Sequence, residues 1–575
     1  MAAREILNRF KEKYAAAILR VDMASDERLF VYVETSVIKA FCGYVFNDLN
    51  ARYVISIGVD DRPVSGKYLI AHNFAFDQEH VLCSILAYVS AENPKIDSIS
   101  PVVPAANWAE REFKDMIGVE PVGHPFLKRL ILPDGWPEGL HPLRKDFAWN
   151  TVPEFDEKQT YKFDNPPEGT VVVPFGPFHP TLDEPAHFRL YMDGEIVKGC
   201  EYRGFMVHRG IEKLGESVLT YNEISMMAER ICGICGCVHN VAYAQAVEQA
   251  AVIKPPPRAE YIRTIMLEME RLQSHLLWTG LASHLLGFDT MFMQAWRIRE
   301  ALMWTCEKIS GNRKTYSLCV IGGVRWDITP ALKDEVRRVL DQVEREWIPV
   351  VDAIKGDRNI QARTKGVGVA DAQLVKNAAL VGPMARASGV PLDCRKDHPY
   401  AAYDKVEFNV ITQPTCDVWG RVLVRVLEVF ESIKIVRQCL DKMPEGPLQT
   451  VIDRELTPGR IGVSSVEAPR GEAHHFVITG ENNRPYRWRV RAPTYQNLQG
   501  VPTMIQDQQL ADMTISLGSI DPCFSCTDRI EVVDVRSGKE RVYSHQELLS
   551  ELRIKNYELR ITNCGSVRTR RVQSY

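Results

Sequence analysis

No long apolar run, no excess of one charge and no dense cluster of cysteines mark this sequence, and each absence argues against a class of protein. Lys and Arg total 70 against 74 Asp and Glu, a formal net charge of -4. There is no basic field of the kind that gathers nucleic acid or coats an anionic membrane. The nearest approach to a membrane span is LLWTGLASHLLGFDTMFM at 276–293, where His284 and Asp289 would be costly in hydrocarbon. It reads as a buried helix pair, and no transmembrane helix is expected. The 14 cysteines are spread over 575 residues, unlike the packed thiols of a small disulfide scaffold. Cys42, Cys83, Cys200, Cys306, Cys319 and Cys439 are read as small buried hydrophobes, and Cys237 as packing. The N-terminus carries neither a continuous apolar core nor a twin-arginine element, so the chain is expected to stay in the cytoplasm.

What is present is enough apolar residue, 45%, for two substantial cores. Ile6, Phe10, Tyr14 and Ile18 are spaced as one helical stripe, and LFVYVE, YVISIGVDD and KYLIAHNFAF alternate as strands. Residues 1–150 therefore read as a small α+β domain. A polar, proline-paired linker over 151–169 leads to a second domain, 170–529, that is mainly helical with peripheral strands. Its helices are legible in YIRTIMLEMERLQSHLLWTG, ALKDEVRRVLDQVEREW and DVWGRVLVRVLEVFESIKIVRQCL. The class is α+β overall. Beyond Arg529 the pattern changes to short strands about Ser537-Gly538, a polar helix and a basic tail, 530–575.

The strongest chemical signal is a pair of Cys-x-x-Cys motifs, Cys232/Cys235 and Cys523/Cys526. Each spacing lets two thiolates meet one ion from a single turn, and four thiolates select soft or borderline metals: zinc, an iron-sulfur cluster or nickel. A zinc ribbon usually places its second pair roughly 15–20 residues after the first, whereas nearly half the chain intervenes here. The metal would therefore join distant segments at a core interface. Gly233 and Gly236 beside the first pair allow close approach of something bulky.

At this point the residues resemble the large subunits of nickel-iron hydrogenases, whose elements read here as Arg230-Ile231-Cys232-Gly233-Ile234-Cys235 with His239, and Asp521-Pro522-Cys523-Phe524-Ser525-Cys526. GPFHPTLDEPAHFRLYMDGE, HRGIEKLGE, EAPRGEAHH and RVRAPTYQNL resemble the complex I-related branch and the 49-kDa-type subunit of complex I. ANWAEREFKDMIGVEPVGHPFLKRLILPDGWPEGLHPLRKDF resembles the 30-kDa-type subunit, and the fusion of the two is similar to the catalytic subunit of formate hydrogenlyase. The resemblance implies reversible reduction of protons to hydrogen at a nickel-iron centre whose iron carries carbon monoxide and cyanide. Cys232 and Cys523 become terminal nickel ligands, and Cys235 and Cys526 bridges. Glu184 becomes a proton relay, and Arg470, with Pro469 beside it, a residue overhanging the site. His239 becomes a donor to a bridging sulfur.

Each of these roles has a plainer alternative. Glu184 beside Pro185 suits a solvated loop, Arg470 an ion pair with Glu472, and His239 a satisfied core histidine. Glu212 matches a ligand of a structural magnesium or second iron, although relatives close that site with a histidine where this chain has Arg529. The tail from Ile530 resembles an extension cut after Arg529 by a maturation endopeptidase once chaperones deliver nickel; otherwise it is a permanent hairpin. Partners implied are a small subunit carrying 4Fe-4S clusters, a ferredoxin-like electron carrier, antiporter-like membrane subunits and a formate dehydrogenase. The complex would sit on the cytoplasmic face of the membrane. The competing functions are a quinone-site subunit of complex I, disfavoured by the intact cysteines and by Asp183-Glu184 where that family has a histidine, and a zinc scaffold.

Overall fold

The computed structural model describes residues 2–524, apart from 157, 160, 178, 180, 181, 183, 207, 453 and 454, together with the backbone of 532–534 and 539–541. A five-stranded sheet organises the N-terminal part, in the spatial order Ile18–Ser25, Arg28–Val33, Val81–Ser90, Lys67–Phe76 and Arg52–Asp61. All pairs are antiparallel except Arg28–Val33 with Val81–Ser90. Val81–Ser90 is buried almost throughout, as its position as the middle strand requires. The opening helix, Ala2–Tyr14, buries Ile6 and Phe10 as the stripe predicts. Ile18, expected on that stripe, leaves it: a short 3-10 turn over Ala15–Ala17 ends the helix, and Ile18 starts an edge strand opposite Val33. Its β-branched side chain suits the strand better than another helical turn.

The helical part is built round Pro257–Leu285, buried on nearly every face, which marks it as the central helix. The expected pair over 276–293 is a helix hairpin, Pro257–Leu285 followed by Asp289–Ser310. Its turn, however, lies at the surface, where His284 and Asp289 are exposed and pair at 2.6 Å. Pro330–Gly356 is capped by the Thr329 hydroxyl and buries Val336, Leu340, Val343, Trp347, Val350, Val351 and Ile354 on one stripe, with Pro at its first position. Val418–Lys442 starts at Asp417, whose carboxylate accepts from the Gly420 amide at 2.9 Å.

The α+β class holds, with one refinement. The antiparallel sheet Ile461–Ala468, Gly471–Thr479, Pro485–Arg491 is not peripheral: its first two strands are buried along almost their whole length and pack on helix Gly236–Ala251. It also meets the N-terminal sheet. Arg52 bonds both Asp77 and Glu472 (2.8 and 2.7 Å), and Arg489 reaches Glu112 at 2.7 Å. Tyr486 donates to the Asp60 carbonyl at 2.8 Å. Residues Met1–Asp528 form one unit and Arg529–Tyr575 another; in the latter Val532–Asp534 pairs antiparallel with Lys539–Arg541, and the expected turn at Ser537-Gly538 lies outside the described residues. Among the described residues no helix is long and apolar enough to cross a membrane.

Candidate metal centre

Cys232 lies in the turn after helix Tyr221–Glu229, and Cys235 is the N-cap residue of helix Gly236–Ala251. Cys523 follows helix Leu510–Ser519. Folding brings the two motifs together: the Cys232 and Cys523 sulfurs are 3.2 Å apart and buried. The Cys232 sulfur also accepts from the amides of Ile234 and Cys235, both at 3.4 Å, so the first turn wraps round it. The Cys235 thiol is pushed well up by its hydrogen bond to Cys232 and by burial, with the Cys232 and Cys523 sulfurs adding to it and Arg470 opposing. Three sulfurs therefore act on one another. Cys526, Arg529, Ile530 and Asp183 lie outside the described residues.

The glycines do different work. Among the described residues a side chain at Gly233 would meet nothing within 4 Å, whereas at Gly236 it would strike the Tyr316 ring at 2.2 Å and the Glu229 carbonyl at 2.7 Å. Only Gly233 leaves room for an outside group. Tyr316 instead packs on the turn, and its hydroxyl donates to the Cys232 carbonyl at 3.1 Å. Arg209 donates to the carbonyls of Arg230 and Ile231, so side chains from distant segments hold the turn.

Arg470, with Pro469, makes the tight turn between Ile461–Ala468 and Gly471–Thr479. Gly471, at φ +124°, is required there: an added Cβ would lie 2.6 Å from the Val381 side chain and 2.7 Å from the Gly382 amide. Arg271 fixes the strand end just before the turn by donating to the carbonyls of Glu467 and Ala468 (2.7 and 3.1 Å). The expected alternative for Arg470, an ion pair with Glu472, is corrected. Glu472 is taken by Arg52 and Arg491, whereas Arg470 lies in the turn, before the strand that carries Glu472 begins. Arg470 instead donates Nε and Nη2 to the carbonyl and side chain of Asp521 (2.7 and 2.8 Å), and its Nη1 is buried with no partner among the described residues. Burial pulls the guanidinium pKa down, and Asp521 with the thiols of Cys232, Cys523 and Cys235 more than offsets this.

His239 is fully buried, and burial brings its pKa down to about 4, with the Cys232 thiol opposing and Arg470 assisting. His475 is likewise held neutral by burial. The indole of Trp488 can only donate, to His475 Nδ1 at 3.2 Å, so the His475 Nε2–H donates to His239 Nδ1 at 3.1 Å. That leaves the His239 proton on Nε2, which has no partner among the described residues. Glu184 is half-buried on the loop between strands Val171–Phe175 and His187–Asp193. Glu212 sits in an arginine cage: Arg487 and Arg489 donate to its two oxygens at 2.7 and 2.8 Å.

Among the described residues no three His, Cys, Asp or Glu side chains are grouped to hold an ion. Three thiols from two distant segments, two unpartnered N–H groups and open space at Gly233 nevertheless fit a soft metal group with polar substituents. Motif spacing marks the cysteines, and the quoted motifs contain Arg470, His239, His475 and Asp521. Arg209 lies in the quoted HRGIEKLGE but carries no expected role there, and Glu270, Gln273, Tyr316 and Trp488 carry no such signal, because they reach the site only through the fold.

Residues 209–291 match the family described as nickel-dependent hydrogenase. Residues 286–461 and 453–529 match the 49 Kd subunit of respiratory-chain NADH dehydrogenase, and 31–152 its 30 Kd subunit. Formate hydrogenlyase subunit 5 of Escherichia coli (strain K12) is 40% identical over 93% of this chain and 95% of its own length. Hydrogenase-4 component G of the same organism is 39% identical over 94% and 96%. Among solved structures, a chain of the membrane-bound sulfane sulfur reductase, an archaeal respiratory membrane complex, superposes with a TM-score of 0.60 at 29% identity. It spans 63% of this chain and 99% of that one. The chain therefore belongs to the complex I-related family of membrane-associated nickel-dependent hydrogenase large subunits, oxidoreductases acting on hydrogen, with 30-kDa-type and 49-kDa-type sequences joined in one polypeptide.

Proposed function

We propose that Cys232, Cys235, Cys523 and Cys526 hold a nickel-iron centre with carbon monoxide and cyanide on the iron, and that the enzyme evolves hydrogen with electrons from formate. The observation that carries the ligand set is the 3.2 Å approach of the Cys232 and Cys523 sulfurs from opposite ends of the second domain. When bound, the group supplies a Lewis acid and redox centre for making or splitting hydrogen. The chain supplies the rest. Cys232 and Cys523 would hold nickel alone and Cys235 and Cys526 would be shared with iron, a division that rests on the family resemblance.

Arg470 holds a fixed positive charge over the thiols, and its spare Nη1–H is a donor for cyanide. The Nε2–H of His239 would be available to donate to a ligand thiolate and so favour its charged form. Glu184 takes the proton that leaves a terminal thiolate and passes it outward. To bind magnesium or a second iron, Glu212 would have to release Arg487 and Arg489, so that role is the least supported.

Residues 1–150 act as the docking domain and 151–169 as the linker to the catalytic domain 170–529; the ionic contacts of Arg52 and Arg489 support a fixed relation between the two. A small subunit with 4Fe-4S clusters, a ferredoxin-like subunit, antiporter-like membrane subunits and a formate dehydrogenase complete the electron route on the cytoplasmic face. The two Escherichia coli relatives support this setting. An endopeptidase removes the tail after Arg529 once chaperones have delivered nickel.

Mature protein purified from membranes should contain nickel and iron in equal amounts and end at Arg529 by mass spectrometry, and the membranes should evolve hydrogen from formate. Zinc alone, or no metal, would contradict the centre. An intact tail on nickel-loaded protein would contradict the processing.

A further inference from the structure

We propose that Glu270 is a positioning residue for the metal-binding turn, serving as a cap borrowed by helix Gly236–Ala251 from its neighbour; this rests on that turn holding nickel. The first amides of a helix have no partner within it, and the N-cap side chain ordinarily accepts from one of them. Here the N-cap residue is Cys235, which makes no such bond. A thiolate engaged with a metal is not free to do so. The amides of Cys237 and Val238 bond instead to the two oxygens of Glu270, at 2.8 and 3.1 Å.

Glu270 comes from the central helix Pro257–Leu285 and is fully buried. Among the described residues it forms no ion pair; its remaining partner is the Thr315 hydroxyl at 2.6 Å. A buried carboxyl without a cation is costly, and packing alone would be better met by leucine. Only a two-oxygen acceptor meets both amides together. Three residues on, Gln273 donates to the Ile234 carbonyl at 3.0 Å and is itself held by Arg299 at 2.8 Å. Positions three apart share a helix face, so this face grips Cys235 from both sides: the carbonyl before it and the amides after it. Thr315, in the left-handed region at φ +63°, precedes the Tyr316 that donates to Cys232, which ties the same cap to the first cysteine.

The test compares wild type, E270Q and T315V in the assembled complex. Gln keeps the volume but offers one acceptor oxygen, and its NH2 faces an amide N–H. Nickel loss to a chelator should be about tenfold or more faster in E270Q, with a shifted nickel electron paramagnetic resonance spectrum and a melting temperature within about 2 °C of wild type. T315V should move both nickel readouts in the same direction by less, and it keeps the test valid if E270Q fails to accumulate. Wild-type nickel retention and spectrum in E270Q would overturn the proposal, as would nickel loss that only follows a lowered melting temperature. Nickel absent from the wild type itself would instead overturn the metal assignment.

Discussion

Replacing Glu212 with Gln separates the ion-pair cage from a second metal site. The carboxylate is 7% exposed and accepts from Arg487, Arg489 and the Val490 amide. Burial alone would raise its pKa; Arg487 and Arg489 outweigh this and hold it at about 2, against an ordinary 4.5. A difference of about 2.5 units corresponds to about 3 kcal/mol of stability at neutral pH. Because the folded-state value is the lower one, this stability is full above about pH 4.5 and is lost as pH falls towards about 2. Breaking a buried pair typically costs about 3–5 kcal/mol, less here because Arg487 keeps Glu216 and Arg489 keeps Glu112. The two routes agree on about 3 kcal/mol.

For a unit of this size, an unfolding entropy of about 2.1 cal/mol/K per residue converts that to a melting temperature about 3 °C lower at pH 7. The assay is thermal unfolding of wild type and E212Q followed by tryptophan fluorescence, with and without millimolar magnesium. The difference should close on titrating from about pH 4.5 to 2 and should not respond to magnesium. A wild-type melting temperature that rises with magnesium, with no rise in E212Q, would refute the cage.

Other changes test other parts of the account. R470K should retain nickel yet lose about a hundredfold in hydrogen evolution, because a lysine carries its donors on one nitrogen and cannot reproduce the planar fork that grips Asp521 with Nε and Nη2 while aiming Nη1 elsewhere; metal analysis beside a rate assay checks it. E184Q should also keep its metal while hydrogen evolution falls by about a hundredfold or more, read together with exchange between deuterium gas and water protons. Arg386 bridges Glu428 and Glu467, both at 2.7 Å and all fully buried or nearly so. E428Q should lower stability by about 3 kcal/mol or more, measured by chemical unfolding at neutral pH.

Helix Pro330–Gly356 was legible because it buries a continuous stripe, the central helix by its long run without a breaker, and strands 28–33, 52–61 and 67–76 because they lie within or across alternating runs. Val81–Ser90 hides its alternation since both faces are buried, and Ile18 was misplaced because a stripe does not reveal a helix stop made of alanines. The cysteines, Arg470 and His239 were legible as motifs. Their supports were not: Glu270 and Gln273 lie on a helix buried almost all round, where period says nothing about which neighbour each meets. The Glu472 partner expected for Arg470 came from proximity in sequence, whereas Arg470 sits in the turn and the fold brings Asp521 to its guanidinium. Glu212 carries a motif match, yet its surroundings are set by arginines almost 300 residues away in the chain.

The central claim is that the two cysteine pairs, joined across nearly half the chain, hold nickel and perform the chemistry. Its most direct measurement is nickel content and hydrogen evolution of Cys523→Ser in the assembled complex. The account predicts loss of nickel and of activity together, with the N-terminal sheet still folded. Full nickel occupancy with wild-type hydrogen evolution would contradict it.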